Sequence, residues 1–333
     1  LAPGYIAYSD LFHVKVAERK VDVLFVLDNS QSMNEEQENV VSSFESFLQY
    51  FLDQNIDYHI GVLSTDASTN SSAWTSEAYA SFPNNGAGSL LAKTGNNRFI
   101  DSTLSKIEAI RQFGENARLG TKGNGAETGI LSLLAAFHPR QLNDWNKDFL
   151  REDALLSMIV VSDEDESISP DDLSYLRTDS TLMNARLNQF QTRLKQLKPQ
   201  HRGRIRFDAI VAPSRALCPS LGSSSQTAGT GDFYMSVARQ LSTSGSNHIF
   251  NICDDFSGDL ANIGSELSTS VERDFELSEV PVGTIVVKLD GETLPESRTE
   301  GWTYNARRNE ISLHGLGLEN KREFDIRINF VHR

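Results

Sequence analysis

The chain has 333 residues, 39% of them apolar, with 31 Lys and Arg against 45 Asp and Glu for a formal net charge of −14. That length accommodates one large domain and a smaller one, and the composition is that of an ordinary globular protein rather than a disordered chain. The charge argues against nucleic acid, whose phosphates need Lys and Arg to displace their counterions, and against anionic membrane surfaces; no apolar run reaches the ~18 residues of a membrane span.

The chain begins at Leu1 rather than Met, so a targeting segment is expected to have been removed. The first stretch with strand character is "LFHVKVAER" (Leu11 to Arg19), a candidate extra strand for the C-terminal part. Short apolar runs over residues 21–27, 56–64, 155–162, 204–212 and 248–253 carry few alternating polar positions, the pattern of strands covered on both faces. Between them lie helical patterns: Val40, Phe44, Phe47, Leu48 and Phe51 recur at helical spacing, and further helices are expected near 102–118, 126–138, 181–196, 232–242 and 258–272. Strand alternating with helix implies a doubly wound, mostly parallel α/β sheet.

The region from 65 to 97 is too long for a simple turn and sets Trp74, Tyr79 and Phe82 among Ser, Asn and Gly. It reads as a partner-binding loop or as a self-packed surface loop. Asp66 at its start is a turn residue or an acid behind a site, and His59 within the second strand is structural. The two cysteines, Cys218 and Cys253, flank a Ser/Gly-rich loop and a helix; a disulfide between them suits an oxidising compartment, and two buried thiols are the alternative. From 273 onward the pattern changes to strand alternation in "TIVVKLDGETL", "WTYNARRNEISLHG" and "REFDIRINFVHR", with an Asp290-Gly291 hairpin signal. The expected division is an N-terminal segment 1–20, an α/β domain 21–272 and a small all-β module 273–333.

Two strand ends carry the chemistry. In "VDVLFVLDNSQSM" (Val21 to Met33) a carboxylate and two hydroxyls, Asp28, Ser30 and Ser32, follow the first apolar run at two-residue spacing. In an open α/β sheet ligands bind at the carboxyl ends of the strands, and such oxygens suit a hard cation. Asn34 with Glu35 to Gln37 can cap the following helix, which leaves the hydroxyls free. In "LLSMIVVSDEDES" the strand closes on Ser162 and Asp163, with Glu164, Asp165 and Glu166 behind them as mostly solvated acids. An EF-hand is rejected, since Ile168 and Ser174 stand where its Gly and Glu belong.

The DxSxS motif after an apolar strand, with an Asp ending a later strand, resembles the von Willebrand factor A (VWA) domain and its metal-ion-dependent adhesion site. The likeness covers residues 21–272, and "GAETGILSLLAAF" and "FLREDALLSMIVVSDEDES" look like a branch found in exported bacterial envelope proteins. The resemblance implies that Asp28, Ser30, Ser32 and Asp163 ligate a divalent cation, magnesium first with manganese or calcium as alternatives, directly or through water. Most relatives place a Thr where this chain has Ala126; Glu127 or Thr128 beside it supplies the missing oxygen, with Glu127 preferred. The implied protein is an exported, non-enzymatic adhesion or recognition protein of the cell envelope, lipid-anchored through the removed N-terminus, binding a carboxylate offered by a protein or glycan. The rival readings are an intracellular adaptor of an AAA-type ATPase and a metal-assisted hydrolase using Glu164 or Asp165 as base. No GxSxG, HExxH or GxxxxGK[ST] pattern occurs.

Overall fold

The apolar runs are strands because each alternates two buried faces. Val21, Val23, Phe25 and Leu27 enter one hydrophobic cluster, while Leu24 and Val26 enter another on the opposite side. The computed structural model describes residues 4–15, 19–66, 87–123, 127–167, 180–198, 205–218, 230–241, 248–269, 273–318, 321 and 323–333. Trp74, Tyr79, Phe82 and Ala126 lie outside the described residues.

The chain divides into two compact units, one formed by Lys20–Leu197 and Ile205–Ser268, the other by Leu1–Arg19, Lys198–Arg204 and Thr269–Arg333. In the first, β2 (Lys20–Leu27), β3 (Asp57–Ser64), β4 (Phe99–Asp101), β5 (Leu155–Ser162), β6 (Ile205–Val211) and β7 (Ile249–Asn251) form a six-stranded sheet in the order β4-β3-β2-β5-β6-β7. All neighbours are parallel except the β3–β4 pair. The antiparallel strand, three residues long, was not foreseen; so short an edge leaves little periodic signal.

Helices α1 (Asn34–Asp53), α2 (Lys106–Ala117) and α7 (Ser257–Thr269) contribute to the cluster on one face. Helices α3 (Gly129–Ala136), α5 (Ser180–Leu197) and α6 (Asp232–Leu241) contribute to the other, and a short α4 (Pro139–Leu142) follows α3. The helical repeat of α1 is explained by its partners: Phe44 stacks on Phe113 with ring centroids 3.6 Å apart, and Phe25 meets Phe47 edge-on at 5.5 Å. Each such buried ring contributes about 2 kcal/mol through area alone. Close packing of α7 on α1 requires Gly264, where a Cβ would stand 2.7 Å from the Phe47 carbonyl oxygen.

Cys218, following β6, and Cys253, following β7, are joined in a disulfide with Cα atoms 5.4 Å apart. The bridge restrains the carboxyl ends of the last two strands across 35 residues of sequence. Closing a loop of that length stabilises by about 3–4 kcal/mol in the chain-entropy account.

The second unit is all β. β1 (Ile6–Lys15), β13 (Glu323–His332), β9 (Val286–Leu289) and β10 (Glu292–Thr293) form one sheet, and β11 (Gly301–Asn305), β12 (Glu310–His314) and β8 (Asp274–Glu276) another. The N-terminal strand pairs with β13 over ten residues, from Ile6 opposite His332 to Lys15 opposite Glu323. Alternation in β13 buries Phe324, Ile326, Ile328 and Phe330 against Trp302, Ile311 and Val287. Asp290 and Gly291 both adopt positive φ, 49° and 90°, as a two-residue hairpin turn demands, and they join β9 to β10.

Candidate functional site

From β2 the chain passes through α1 to β3 on one side, and from β5 through α5 to β6 on the other. Adjacent strands whose connections leave in opposite directions open a crevice between their carboxyl ends. Asp28 ends β2 and Asp163 ends β5, so the topology brings two carboxylates 135 positions apart in sequence to the two lips of one crevice.

Main-chain hydrogen bonds stitch the loops around it. Asp28 N–H donates to Val161 O at 3.0 Å, Thr65 N–H to Leu27 O at 3.0 Å, Thr128 N–H to Thr65 O at 2.9 Å and Ser167 N–H to Glu127 O at 2.5 Å. Gly123 N–H donates to Asn29 O at 2.9 Å, and a Cβ there would lie 2.2 Å from Asn29 Oδ1, so a side chain at 123 would displace that of Asn29 where the first and second loops meet.

Asp28 is fully buried, its Oδ1 accepting from Ser30 N–H at 2.7 Å and its Oδ2 from the Ser162 hydroxyl at 2.6 Å. Burial, with Asp163's charge added, pushes its carboxyl up to about 7 against those hydrogen bonds. The Ser30 and Ser32 hydroxyls lie 3.3 Å apart. The expected Asn34 cap does not form: the N-cap of α1 is Met33 without a side-chain bond, and the acids of the first turn face the helix dipole instead. Gln37 takes a different part, donating to Asp28 O at 2.9 Å and to Gly120 O at 3.0 Å.

Asp163 is 7% exposed, and its Oδ1 has no hydrogen-bond partner. Burial raises its carboxyl and the Ser32 hydroxyl opposes the rise. Glu127 is fully buried; Oε2 accepts from the Thr65 hydroxyl, while Oε1 is unpartnered. Burial, then the charges of Asp28, Glu164 and Asp66, lift its carboxyl well above the usual range. Thr128 is buried with its hydroxyl donating to Thr65 O at 2.7 Å. Asp66, read as a turn residue or an acid behind a site, is 3% exposed and its charge acts on Glu127. Glu36, missed in the sequence, adds a third orphan oxygen, Oε2, within electrostatic reach of Asp163.

The acids behind Asp163 are not all solvated. Glu166 is 4% exposed and accepts from Ile130 and Leu131 N–H at 2.9 and 3.3 Å, from the Tyr234 hydroxyl at 3.0 Å and from Arg186 at 3.1 Å. Burial raises it to about 7, and Arg186 and these donors limit the rise. It supplies the start of α3 with the acceptor that Thr128 at its N-cap does not provide, which anchors the second loop to the third. The apolar opening "GILSLL", without a capping acid of its own, is the signal that a remote acceptor was needed. Asp165 Oδ1 is committed to the Glu166 and Phe233 amides, both at 2.9 Å. His59 is structural, its Nδ1 2.8 Å from Phe149 O.

Among the described residues no three His, Cys, Asp or Glu side chains converge as a ready-made metal cage. The donor set here is instead two acids with serine and threonine hydroxyls. Their fit to a hard dication rests on the buried orphan oxygen of Asp163, and Glu127 offers a second one as the alternative to the Thr128 hydroxyl.

No family model matches the chain, and no curated protein does. Similar solved structures include the pilus adhesin SpaC from Lactobacillus rhamnosus GG in its open conformation, at 14% identity and TM-score 0.41, aligned over 98% of this chain and 40% of that one. A second form of SpaC aligns at 12% identity and TM-score 0.39, over 98% and 41%. A von Willebrand factor type A protein from Catenulispora acidiphila aligns at 10% identity and TM-score 0.41, over 100% of this chain and 66% of that one. The chain thus spans about two-fifths of the adhesin chains, and at these scores the likeness carries no functional argument.

Proposed function

We propose that the chain is a VWA-type recognition protein that holds a divalent cation, magnesium first, between the ends of β2 and β5 and binds its partner through that cation. Asp28, Ser30, Ser32 and Asp163 hold the ion, with Thr128 or Glu127 on the second loop, and the partner contributes an oxygen to complete the shell. The observation that carries this reading is Asp28 and Asp163 buried at the switch point, with an orphan oxygen on Asp163 and no lysine or arginine among the described residues pairing with either. A buried acid pair without a cation is unstable, and a bound dication neutralises it.

Export to the bacterial cell envelope, with adhesion as the role, is the cellular side of the proposal. The Cys218–Cys253 bridge favours it over the intracellular adaptor, because cytosolic thiols are kept reduced. The hydrolase reading loses ground because Asp165, one of its two bases, is held by main-chain amides. Asp28→Ala tests the core of the proposal. Calorimetric titration with magnesium or manganese should show binding by the wild type and at least a ~100-fold loss in the variant, while the melting transition in chelator survives. Wild-type affinity in the variant, or loss of cooperative melting, overturns it.

A further inference from the structure

We propose that Tyr234, acting with Glu166, sets the size of the cation that the crevice accepts and makes it a magnesium site rather than a calcium site. The inference rests on the dication reading above and assigns the preference to two positioning residues that ligate nothing themselves.

The amides that open a helix have no partner within it, and at the start of α3 each finds one elsewhere. Thr128 N–H donates to Thr65 O at 2.9 Å, Gly129 N–H to the Tyr234 hydroxyl at 3.1 Å, and Ile130 and Leu131 N–H to the two Glu166 oxygens at 2.9 and 3.3 Å. The second loop, which supplies Glu127 or Thr128, is therefore pinned at the residues that follow them. Tyr234 joins it to the third loop: the same hydroxyl that accepts from Gly129 donates to Glu166 at 3.0 Å, just beyond Asp163 in the chain. Beside it, Phe233 N–H donates to Asp165 Oδ1 at 2.9 Å, so the first turn of α6 holds both loops. That turn is itself seated tightly, since a Cβ on Gly231 would stand 2.6 Å from the Val211 Cβ and one on Gly129 2.9 Å from the Tyr234 hydroxyl oxygen. Tyr234 is fully buried, so water does not compete for its bonds. The second and third loops can part only by breaking them.

Magnesium takes oxygens at about 2.0–2.1 Å in a near-octahedral shell, whereas calcium takes six to eight at about 2.3–2.6 Å and tolerates an irregular one. A frame that resists widening favours the smaller ion, and a frame that yields gives that preference up. Tyr234→Phe keeps the ring and removes the hydroxyl, which leaves the Gly129 amide without its acceptor and Glu166 without one of its donors.

The test is calorimetric titration of the whole chain with magnesium and with calcium, beside thermal melts in chelator. The wild type should bind magnesium at least ~10-fold more tightly than calcium, and Tyr234→Phe should lose about tenfold in magnesium affinity while its calcium affinity changes by less than about threefold. A residue that merely stabilises the fold lowers both affinities alike, so the ratio separates the two roles. Glu166→Gln should shift the ratio in the same direction and supplies the reading if Tyr234→Phe does not fold; the wild-type ratio stands by itself if neither does. Gln240→Ala, at the far end of α6, should leave both affinities as they are. Equal affinities for the two ions in the wild type overturn the inference, as does an unchanged ratio in either folded variant. A Gln240→Ala variant that shifts the ratio as far as Tyr234→Phe overturns the assignment to Tyr234. A wild type that binds neither ion overturns the dication reading itself, a failure distinct from the others.

Discussion

Two ends of one sheet bury aspartates to the same depth and treat them in opposite ways. Toward the amino ends of the strands, Asp22 is fully buried, with Oδ2 accepting from Arg151 N–H at 2.7 Å and Oδ1 from its Nε at 2.8 Å. Arg151 also reaches the Val21 and Asp57 carbonyls at 3.2 and 3.1 Å and the Asp57 carboxylate at 2.7 Å. Asp208 is held likewise by Arg206 at 2.6 and 2.9 Å and by His248 at 2.9 Å. At the carboxyl ends, Asp28, Glu127 and Asp163 have hydroxyl and amide donors, but none of their strongest influences is cationic. Burial alone therefore does not mark a binding site. What marks it is burial whose neutralising charge no described lysine or arginine supplies.

The comparison breaks most visibly at Arg151. Arg151→Met should destabilise the fold by about 3–5 kcal/mol, since it strands a buried carboxylate, and adding Asp22→Asn should recover much of the loss. Urea unfolding of the single and double variants measures both, and a mild single variant would show that the amino edge resembles the carboxyl edge after all.

An effect on the order of a few kcal/mol is expected from pH at the other edge. Asp28 is raised from 3.8 to about 7, so the folded state holds that proton more tightly than the unfolded chain. The resulting stabilisation is complete below the unfolded pKa and is lost as pH rises through the folded value; metal-free protein should weaken between about pH 4 and about pH 7. Glu166 and Glu310, each raised to about 7 by burial, act in the same direction with or without metal and cancel in a difference. Melting temperatures in chelator and in excess magnesium should diverge across that window, and a constant gap would count against a dication beside Asp28.

The smallest effect is expected at an exposed pair. Arg118 binds Glu38 at 2.6 Å, but both side chains are about half exposed, at 46% and 53%. Glu38→Gln should change stability by less than about 1 kcal/mol and lose even that in high salt. A larger effect in thermal melts would mean that pairing, and not burial, governs the contrast between the two edges.

Much of this was legible without coordinates. The strand from Leu155 to Ser162 matches its expected limits, and helices such as α5 and α6 fall within a residue or two of theirs. Apolar runs with no polar alternation announce strands covered on both faces, and residues such as Phe44, Phe47 and Phe51 record a helix face in their spacing. The Asp290-Gly291 turn was legible for a local reason, since it depends on two residues' own φ preferences. Asp28 and Asp163 were candidates because each closes such a run.

What the sequence determined by itself was therefore local: periodicities, turns, and the acids at the ends of apolar strands. The tertiary structure decided which charges meet. Nothing in the chain near Asp22 announces Arg151, 129 positions away, nor near Gly129 announces the Glu166 carboxylate that accepts from the start of α3. The same four-residue acidic run holds Asp163 at the crevice, Asp165 on the amide of Phe233 and Glu166 under a helix. Burial and partner choice arise from strand order and loop closure, which act across the whole sheet, whereas periodicity records only a residue's own neighbours.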